Sequence, residues 1–357
     1  MRQNKFKSYN TKSLCEGCKS CVEGKKSVIY VTGLCPRRCF YCPLSEQRRN
    51  TDVMYVNEKK VTTISQIIDE IRISCSHGAG ITGGDPLVKL DRTCEIICAI
   101  KETFGKEFHV HLYTSLVLLN EERIQKLYAS GLDEIRVHPD FEKTEHWPRI
   151  HLLKKFNWRV GIEIPVIPDF LAQTKDLLKT YGSVTDFINL NELELTHTNA
   201  EQLQERHYRL RDDSFSAVDN SKECALGLLQ EFADLPLHFC TARLKNSVQY
   251  VNRIKRRAKS IVKSYEALSK DGTILQGIIQ ATPSDALILE LRQTYEIPSQ
   301  LLFADVQCIR IAPWVLLHIS KKLPYECILR TVYPTADAMV VAEEVLPSKN
   351  KRILSVV

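Results

Sequence analysis

The sequence contains no long apolar segment. None of its apolar runs approaches the ~20 residues that a membrane-spanning helix needs, and the polar, basic residues 1–13 lack the apolar core of a secretory signal peptide. Low-complexity tracts and short-period repeats are also missing. These absences argue against membrane-spanning, secreted and repeat proteins, so we expect a cytoplasmic protein that does not associate with a membrane.

A disulfide framework is not expected either, although cysteine is abundant. The 357 residues include 13 cysteines, in two tight N-terminal clusters and scattered single positions. Secreted disulfide frameworks usually have an even number, whereas clustered thiols in a reducing compartment typically serve metals. Apolar and charged contents of 44% and 26% fit a globular chain of one large or two modest domains. The net charge of +6 permits a nucleic-acid partner without requiring one.

The densest cysteine tract covers residues 35–42 and reads CPRRCFYC. Its C-x3-C-x2-C spacing lets Cys35, Cys39 and Cys42 direct their sulfurs from one loop at one centre. Three thiolates can bind three irons of a four-iron cluster, and the fourth iron is then free for a small chelating ligand. A zinc knuckle is the alternative, but zinc sites usually combine two short C-x2-C or C-x4-C units. The tract therefore favours an iron–sulfur cluster with one open iron.

A second tract precedes it, with Cys15, Cys18 and Cys21 in a C-x2-C-x2-C pattern. Bacterial ferredoxins present three thiolates to one cluster with this spacing and take a further cysteine from elsewhere. We predict an auxiliary [4Fe-4S] cluster here, with a zinc site as the alternative. Gly17 and Gly24 are expected to permit the tight turns that such a loop needs.

The fourth ligand of this auxiliary site has several candidates. They are Cys75, Cys224, Cys240, Cys308 and Cys327. We favour Cys240, because it ends a short apolar pattern that reads as a strand, and a cysteine at a strand end can reach a metal without distorting a helix.

Strand and helix patterns alternate through the first two thirds of the chain. Helical segments separate six strand patterns. Five lie at residues 27–32, 108–114, 133–138, 158–167 and 186–195, and a short one leads to Gly80. This alternation is typical of βαβ units and a parallel sheet. About six such units predict an α/β fold, a partial (β/α)6 TIM-like barrel. Because chemistry in such barrels sits at the C-terminal ends of the strands, we expect the cysteine loop and the Gly-Gly-Asp-Pro segment at residues 83–86 to lie there.

We divide the chain into three regions: an N-terminal cysteine segment at residues 1–27, a core barrel at 28–243 and a C-terminal region at 244–357. The third region opens with a helical pattern over residues 244–268 whose second face is basic. That face is either a patch for RNA or an acidic partner, or a solvated surface. Strand and helix patterns after a turn at residues 271–272 predict a small α+β domain.

The tract at residues 35–42, with Tyr41 just before its last cysteine, resembles the signature of the radical S-adenosylmethionine superfamily. Residues 83–86 resemble the family's Gly-Gly-Glu-Pro segment, with Asp85 in place of Glu. The resemblance covers about residues 28–240, and the whole layout is similar to a largely archaeal group related to the pyruvate formate-lyase activating enzymes. It implies that Cys35, Cys39 and Cys42 hold a [4Fe-4S] cluster. The residues that it implies for S-adenosylmethionine binding are Tyr41, Gly83, Gly84, Asp85, Thr114, Ser115 and Glu163.

The resemblance also implies a chemistry. One electron cleaves S-adenosylmethionine to a 5′-deoxyadenosyl radical, which abstracts a hydrogen atom from a substrate. A reduced ferredoxin-like or flavodoxin-like protein is the expected electron donor. The auxiliary site of Cys15, Cys18, Cys21 and Cys240 would relay electrons or anchor the substrate.

Three functional hypotheses remain open on the sequence. The first is a radical enzyme that modifies a tRNA or a protein, which the basic charge and the appended domain favour. The second is a radical enzyme that acts on a small metabolite. The third is a non-catalytic iron–sulfur or zinc protein that binds RNA or carries electrons, but the methionyl-binding segment at residues 83–86 argues against it.

Overall fold

The structure, a computed structural model, describes residues 1–349. The chain divides into two compact units. The first contains Met1–Arg72 and Ser76–Arg253, and the second contains Ile73–Cys75 and the residues from Ile254 onward. The cysteine segment at residues 1–27 is part of the first unit. Each unit has its own apolar core.

The first unit contains eleven strands. They are β1 (Arg2–Gln3), β2 (Tyr9–Asn10), β3 (Lys26–Tyr30), β4 (Met54–Val56), β5 (Lys59–Val61), β6 (Gly78–Thr82), β7 (His109–Ser115), β8 (Glu134–His138), β9 (Arg159–Val166), β10 (Phe187–Glu192) and β11 (Leu237–Cys240). Its helices are α1 (Glu16–Val22), α2 (Ile64–Ile73), α3 (Leu90–Phe104), α4 (Glu121–Ala129), α5 (Ile150–Leu153), α6 (Leu171–Tyr181), α7 (Ala200–Glu205), α8 (Ser221–Glu231), α9 (Ala242–Leu244) and the start of α10 (Val251–Ile261).

The strands form one sheet in the order β1-β2-β11-β10-β9-β8-β7-β6-β3-β4-β5. The run from β3 to β11 is parallel throughout. Helices α2, α3, α4, α5, α6 and α8 follow successive strands, which gives six β/α units and a seventh strand. The predicted partial (β/α)6 barrel is confirmed.

Side chains along the barrel strands alternate between two environments, as the two-residue period of a strand requires. In β8, Ile135 and Val137 join the apolar core that the outer helices cover. Glu134 and Arg136, which alternate with them, are buried on the other face, in the concave interior. The helices bury apolar side chains against this sheet, whereas the barrel interior is polar.

The N-terminal segment crosses this interior. Strand β2 pairs antiparallel with β11 at one edge of the parallel run, with Tyr9 opposite Phe239. The chain then passes through α1 and enters β3, beyond β6 at the other side of the sheet. Helix α1 therefore spans the concave face, and its Gly17 lies against the side chains of Glu134 and Arg136.

The second unit is a small α+β domain. Its strands and helices are the remainder of α10, β12 (Glu266–Leu268), β13 (Ile274–Gln280), α11 (Asp285–Gln293), β14 (Leu302–Ala304), β15 (Ile309–Ile311), α12 (Pro313–Ile319), β16 (Glu326–Val332) and β17 (Val340–Leu346). All six strands pair antiparallel.

The predicted helix over residues 244–268 is partly wrong. A short π-helical stretch, Lys245–Tyr250, interrupts it, and α10 ends at Ile261. Glu266–Leu268 is instead strand β12, because the turn that Gly272 closes at a φ of +92° folds it back onto β13. Apolar residues in that segment serve a strand and a helix equally well, so their spacing did not separate the two.

Several basic side chains of this segment have partners within the protein. Lys245 forms an ion pair with Glu194 at 2.7 Å, and Arg253 forms one with Glu58. Arg256 and Arg257 donate to backbone carbonyl groups. Side chains that are paired within the protein contribute little to a basic surface that could bind RNA. The pairing therefore favours the interpretation of this face as a solvated surface.

Candidate active site

The loop that contains Cys35, Cys39 and Cys42 follows the C-terminal end of β3, and backbone hydrogen bonds join its two ends. Gly33 N donates to Thr51 O at 2.8 Å, and Asn50 N donates to Gly33 O at 3.0 Å. A Cβ atom at Gly33 would lie 1.6 Å from Arg48 O, so only glycine fits where the two ends meet. The backbone thus holds both ends of a loop that has no regular secondary structure of its own.

Two side chains of this loop fix it to the barrel edge. Arg37 donates to His138 O at 2.9 Å and pairs with Asp140 at 3.2 Å. Tyr41 hydroxyl lies 2.8 Å from His138 Nε2, and His138 Nδ1 lies 2.8 Å from Glu163 O. A carbonyl only accepts, so Nδ1 carries the proton and Nε2 accepts from Tyr41. Burial lowers the pKa of His138 to about 3, which keeps this ring neutral and the arrangement fixed.

The glycine pair at residues 83–84 packs on the same loop. A Cβ atom at Gly83 would lie 2.4 Å from Thr32 O, and one at Gly84 would lie 2.4 Å from Leu34 O. Gly84 N donates to Thr32 O at 2.7 Å, and Asp85 N donates to Leu34 O at 2.8 Å. These glycines are therefore needed for close backbone approach between the β6 end and the cysteine loop, a reason that the sequence alone does not supply.

Asp85 is saturated by hydrogen bonds from the protein. It accepts from the hydroxyls of Thr114 and Ser115, both at 2.7 Å, from Ser115 N at 3.0 Å and from Leu87 N at 3.1 Å. Its side chain is 1% exposed, and burial raises its pKa. Asp85, Thr114 and Ser115 are thus brought together as expected, but their side chains bind one another and join the ends of β6 and β7.

One cavity of about 970 Å³ unites the predicted residues. It lies within the first unit, and its walls include Cys35, Cys39, Cys42, Tyr41, Gly83, Gly84, Asp85, Thr114, Ser115 and Glu163. Cavities of roughly 300–1,000 Å³ are typical of small-molecule and cofactor sites. Cys21 of the N-terminal tract also lines it, so the cavity extends from the cysteine loop into the barrel interior.

The interior wall contains functional candidates that the sequence analysis missed. Lys26, His111 and Tyr113 all line the cavity. Tyr113 hydroxyl accepts from Arg136 Nη1 at 3.1 Å and lies 3.1 Å from His111 Nε2. The available signal was the alternation of polar residues along β7, at positions 109, 111 and 113, which marks an inward face.

A segment between β10 and α8 lies over the loop. Asn199 Nδ2 donates to Tyr41 O at 3.1 Å, and Thr198 hydroxyl donates to Pro43 O at 3.4 Å. The guanidinium of Arg206 stands 4.1 Å from the centroid of the Phe40 ring. This segment shields the cysteine loop from solvent on that side.

The N-terminal tract differs from the predicted metal loop in its local structure. Cys18 and Cys21 lie on helix α1, and Cys15 is its N-cap residue. Gly17 is inside the helix rather than at a turn, and a Cβ atom there would lie 2.3 Å from Arg136 Nη2. Gly24 does form a turn, at a φ of +65°.

The chemistry of the loop's donor set fits a thiolate-bound cluster. Burial raises the pKa of the Cys35 thiol to about 11 and also raises that of Cys39, so metal binding must displace protons. Among residues 1–349, no three Cys, His, Asp or Glu side chains already surround one point. This holds for both cysteine tracts alike.

Fold and site together define a parallel-barrel enzyme with a cysteine-rich cluster loop and a neighbouring nucleoside-sized cavity. A model of the radical SAM superfamily matches residues 29–178, and a model of a domain of unknown function, DUF8061, matches residues 272–347. A protein of Methanocaldococcus jannaschii named as a glycyl-radical enzyme activating enzyme is 36% identical over 98% of this chain and 96% of its own. The chain belongs to the radical SAM superfamily.

The similar solved structures are more distant in sequence. Methylornithine synthase is 14% identical, with a TM-score of 0.42, over 63% of this chain and 72% of its own. The radical S-adenosylmethionine methyltransferase TsrM from Kitasatospora setae is 11% identical, with a TM-score of 0.38, over 68% of this chain and 53% of its own. Family membership implies one [4Fe-4S] cluster and S-adenosylmethionine as cofactors. No helix among the described residues is both long and apolar enough to cross a membrane.

Proposed function

We propose that this enzyme abstracts a hydrogen atom from a protein substrate that reaches into the barrel cavity. The cluster, when bound by Cys35, Cys39 and Cys42, supplies the electron that cleaves S-adenosylmethionine to the radical that takes this hydrogen atom. The observation that carries the proposal is the single cavity that these cysteines share with residues 83–84 and with the barrel interior. The name of the archaeal relative supports a protein as the substrate.

The chain's own residues position the reactants. Tyr41, held by His138, fixes the cysteine loop over the cavity, and Asp85 holds the ends of β6 and β7 together. The segment that contains Asn199 covers the loop, which limits the access of water to a reactive radical. These residues bind and orient, and none of them needs to exchange a proton. The required reductant is expected to be a ferredoxin-like or flavodoxin-like protein.

A small polar metabolite is the second candidate substrate. The cavity wall includes the charged side chains of Lys26, Arg136 and Glu163. Such groups suit a compact ligand with charges of both signs. An RNA substrate has less support, because the basic side chains near α10 are partly engaged.

One experiment tests the activity and divides the substrates. The protein is reconstituted anaerobically with iron and sulfide, then mixed with dithionite and S-adenosylmethionine, and 5′-deoxyadenosine is measured. Absence of this product would overturn the proposal. The same assay is then run with the high-mass and low-mass fractions of a deuterated cell extract.

The position of the label decides between the candidates. Deuterium in 5′-deoxyadenosine from the high-mass fraction, abolished by protease but not by ribonuclease, supports a protein substrate. Deuterium that appears only with the low-mass fraction supports a metabolite substrate and overturns the proposal of a protein substrate. The Cys39→Ala variant is the control, because it lacks a cluster ligand and must give no label with either fraction.

A further inference from the structure

The N-terminal cysteines lie inside the barrel rather than on an external loop. Helix α1 packs so closely on the interior that Gly17 has no room for a Cβ atom beside Arg136 and Glu134. Cys18 is 6% exposed, and Cys240, at the end of β11, is 8% exposed. Cys240 shares a small apolar cluster with Val22, the last residue of α1. The edge pairing of β2 with β11 thus brings the fourth predicted cysteine to the helix that contains the other three.

Side-chain N–H groups face these sulfurs. Arg136 Nη2 lies 3.5 Å from Cys15 Sγ and 3.8 Å from Cys18 Sγ. Asn189 Nδ2 lies 3.2 Å from Cys18 Sγ, closer than its amide oxygen at 3.5 Å, and Gln249 Nε2 lies 3.8 Å from Cys240 Sγ. Donors aimed at sulfur suit a metal-bound thiolate, whose lone pairs accept hydrogen bonds that tune the metal.

Cations also face the tract. Arg136 is 2% exposed and pairs with Glu134 at 2.6 Å and with Glu163 at 2.8 Å. Lys26 is 4% exposed, and in the described part of the chain no carboxylate lies within 4.0 Å of its ammonium. It donates to the carbonyl groups of residues 79 and 109 and lies within hydrogen-bond distance of two histidine rings.

Buried cations need negative partners. Arg136 and Lys26 carry two positive charges, and Glu134 and Glu163 carry two negative charges, so this ion network is balanced without the thiols. The case for a metal therefore depends on the buried thiols and on the N–H groups that face them. If the tract were merely packing, four thiols would not be expected beside three side-chain N–H donors.

We propose that Cys15, Cys18, Cys21 and Cys240 form a second metal centre, a [4Fe-4S] cluster, in the barrel interior, where Cys21 lines the cavity. The side-chain N–H groups of Arg136, Asn189 and Gln249 face its sulfurs and hold them in place. This centre is independent of the catalytic loop, so the two can be lost separately.

The test removes the catalytic loop ligands and asks what metal remains. The variant Cys35→Ala/Cys39→Ala/Cys42→Ala changes an irregular loop and leaves α1 and β11 untouched. After anaerobic reconstitution, we expect about four irons and four sulfides per chain, with a reduced-cluster signal in electron paramagnetic resonance. No iron in a variant with an unchanged unfolding transition would overturn the site. One zinc per chain would overturn the cluster assignment.

A second variant tests the ligand set. In the triple-variant background, Cys240→Ser should reduce the bound iron or change the spectrum, whereas Cys224→Ser, on helix α8, should leave both unchanged. Full iron with an unaltered spectrum in Cys240→Ser would remove that residue from the set. The triple variant makes no 5′-deoxyadenosine whatever the result, so failure of this inference and failure of the proposed function are separate observations.

Discussion

The two cysteine tracts of this chain have different local structures. Cys35, Cys39 and Cys42 lie on an irregular loop at the outer edge of the barrel, and backbone contacts through Gly33 and Gly84 hold that loop in place. Cys15, Cys18 and Cys21 lie on or at the start of a helix within the barrel, beside buried charges. A loop whose ends are held by backbone contacts can lose its cysteine side chains with little effect on folding. A helix that packs on a buried ion network cannot.

The largest expected difference is that a variant of the loop tract loses activity, whereas a variant of the helix tract loses stability. Cys39→Ala should abolish 5′-deoxyadenosine formation, because a cluster ligand is lost, yet leave the unfolding transition nearly unchanged. Cys18→Ala should cost about 1–3 kcal/mol of stability, because a buried side chain is truncated. Product assays and thermal denaturation check both. Equal destabilisation by the two variants would contradict the comparison.

The ion network under the helix gives the next largest effect. Glu134→Gln removes one carboxylate from Arg136 and places amide N–H groups beside a guanidinium. We expect a loss of about 3 kcal/mol, near the low end for breaking a buried ion pair, because Glu163 remains as a partner. Denaturant unfolding measures it, and Glu122→Gln, at an exposed helix pair with Lys126, is the matched control. A change as small as that of the control would show that the network does not support α1.

The same carboxylate predicts a pH dependence. Burial raises the pKa of Glu134, but Arg136 and His109 together outweigh burial and lower it to about 2, against about 4.3 in an unfolded chain. Its stabilisation is therefore complete above about pH 4.3 and is lost as the pH falls towards 2.

Comparison with the variant isolates that contribution. The difference in unfolding free energy between the native chain and Glu134→Gln should shrink as the pH falls from about 4.3 towards 2. A difference that stays constant with pH would contradict the ion-pair assignment.

The position of the cysteine loop depends on the glycine at residue 84. Gly84→Ala would place a Cβ atom 2.4 Å from Leu34 O, a backbone atom that cannot rotate away. We expect a cost of about 1–3 kcal/mol from overpacking and weaker cluster retention, because the loop must shift.

Its matched control is on helix α8. Gly227→Ala meets nothing within 4 Å and should be neutral or stabilise by about 0.5–1 kcal/mol. Iron content and denaturation distinguish the two variants, and equal behaviour would show that the loop does not need the close approach.

Much of the fold could be predicted from the sequence, because strand and helix periods are local. The cavity residues Cys35 and Gly83 also follow from short motifs. The position of α1 does not, since it depends on pairing between β2 and β11, which are more than two hundred residues apart in the chain. The role of Asp85 likewise depends on hydroxyls thirty residues away, at Thr114 and Ser115.

The smallest expected effect concerns the hydroxyl that fixes the loop. Tyr41→Phe removes the hydrogen bond to His138 and should cost about 1 kcal/mol, or a roughly fivefold rise in the KM for S-adenosylmethionine. Tyr55→Phe is the control, because no hydrogen bond to its hydroxyl is seen in the described residues. A fall in kcat at unchanged KM would show that Tyr41 takes part in the reaction itself. Unchanged kinetics would mean that Arg37 alone suffices to fix the loop.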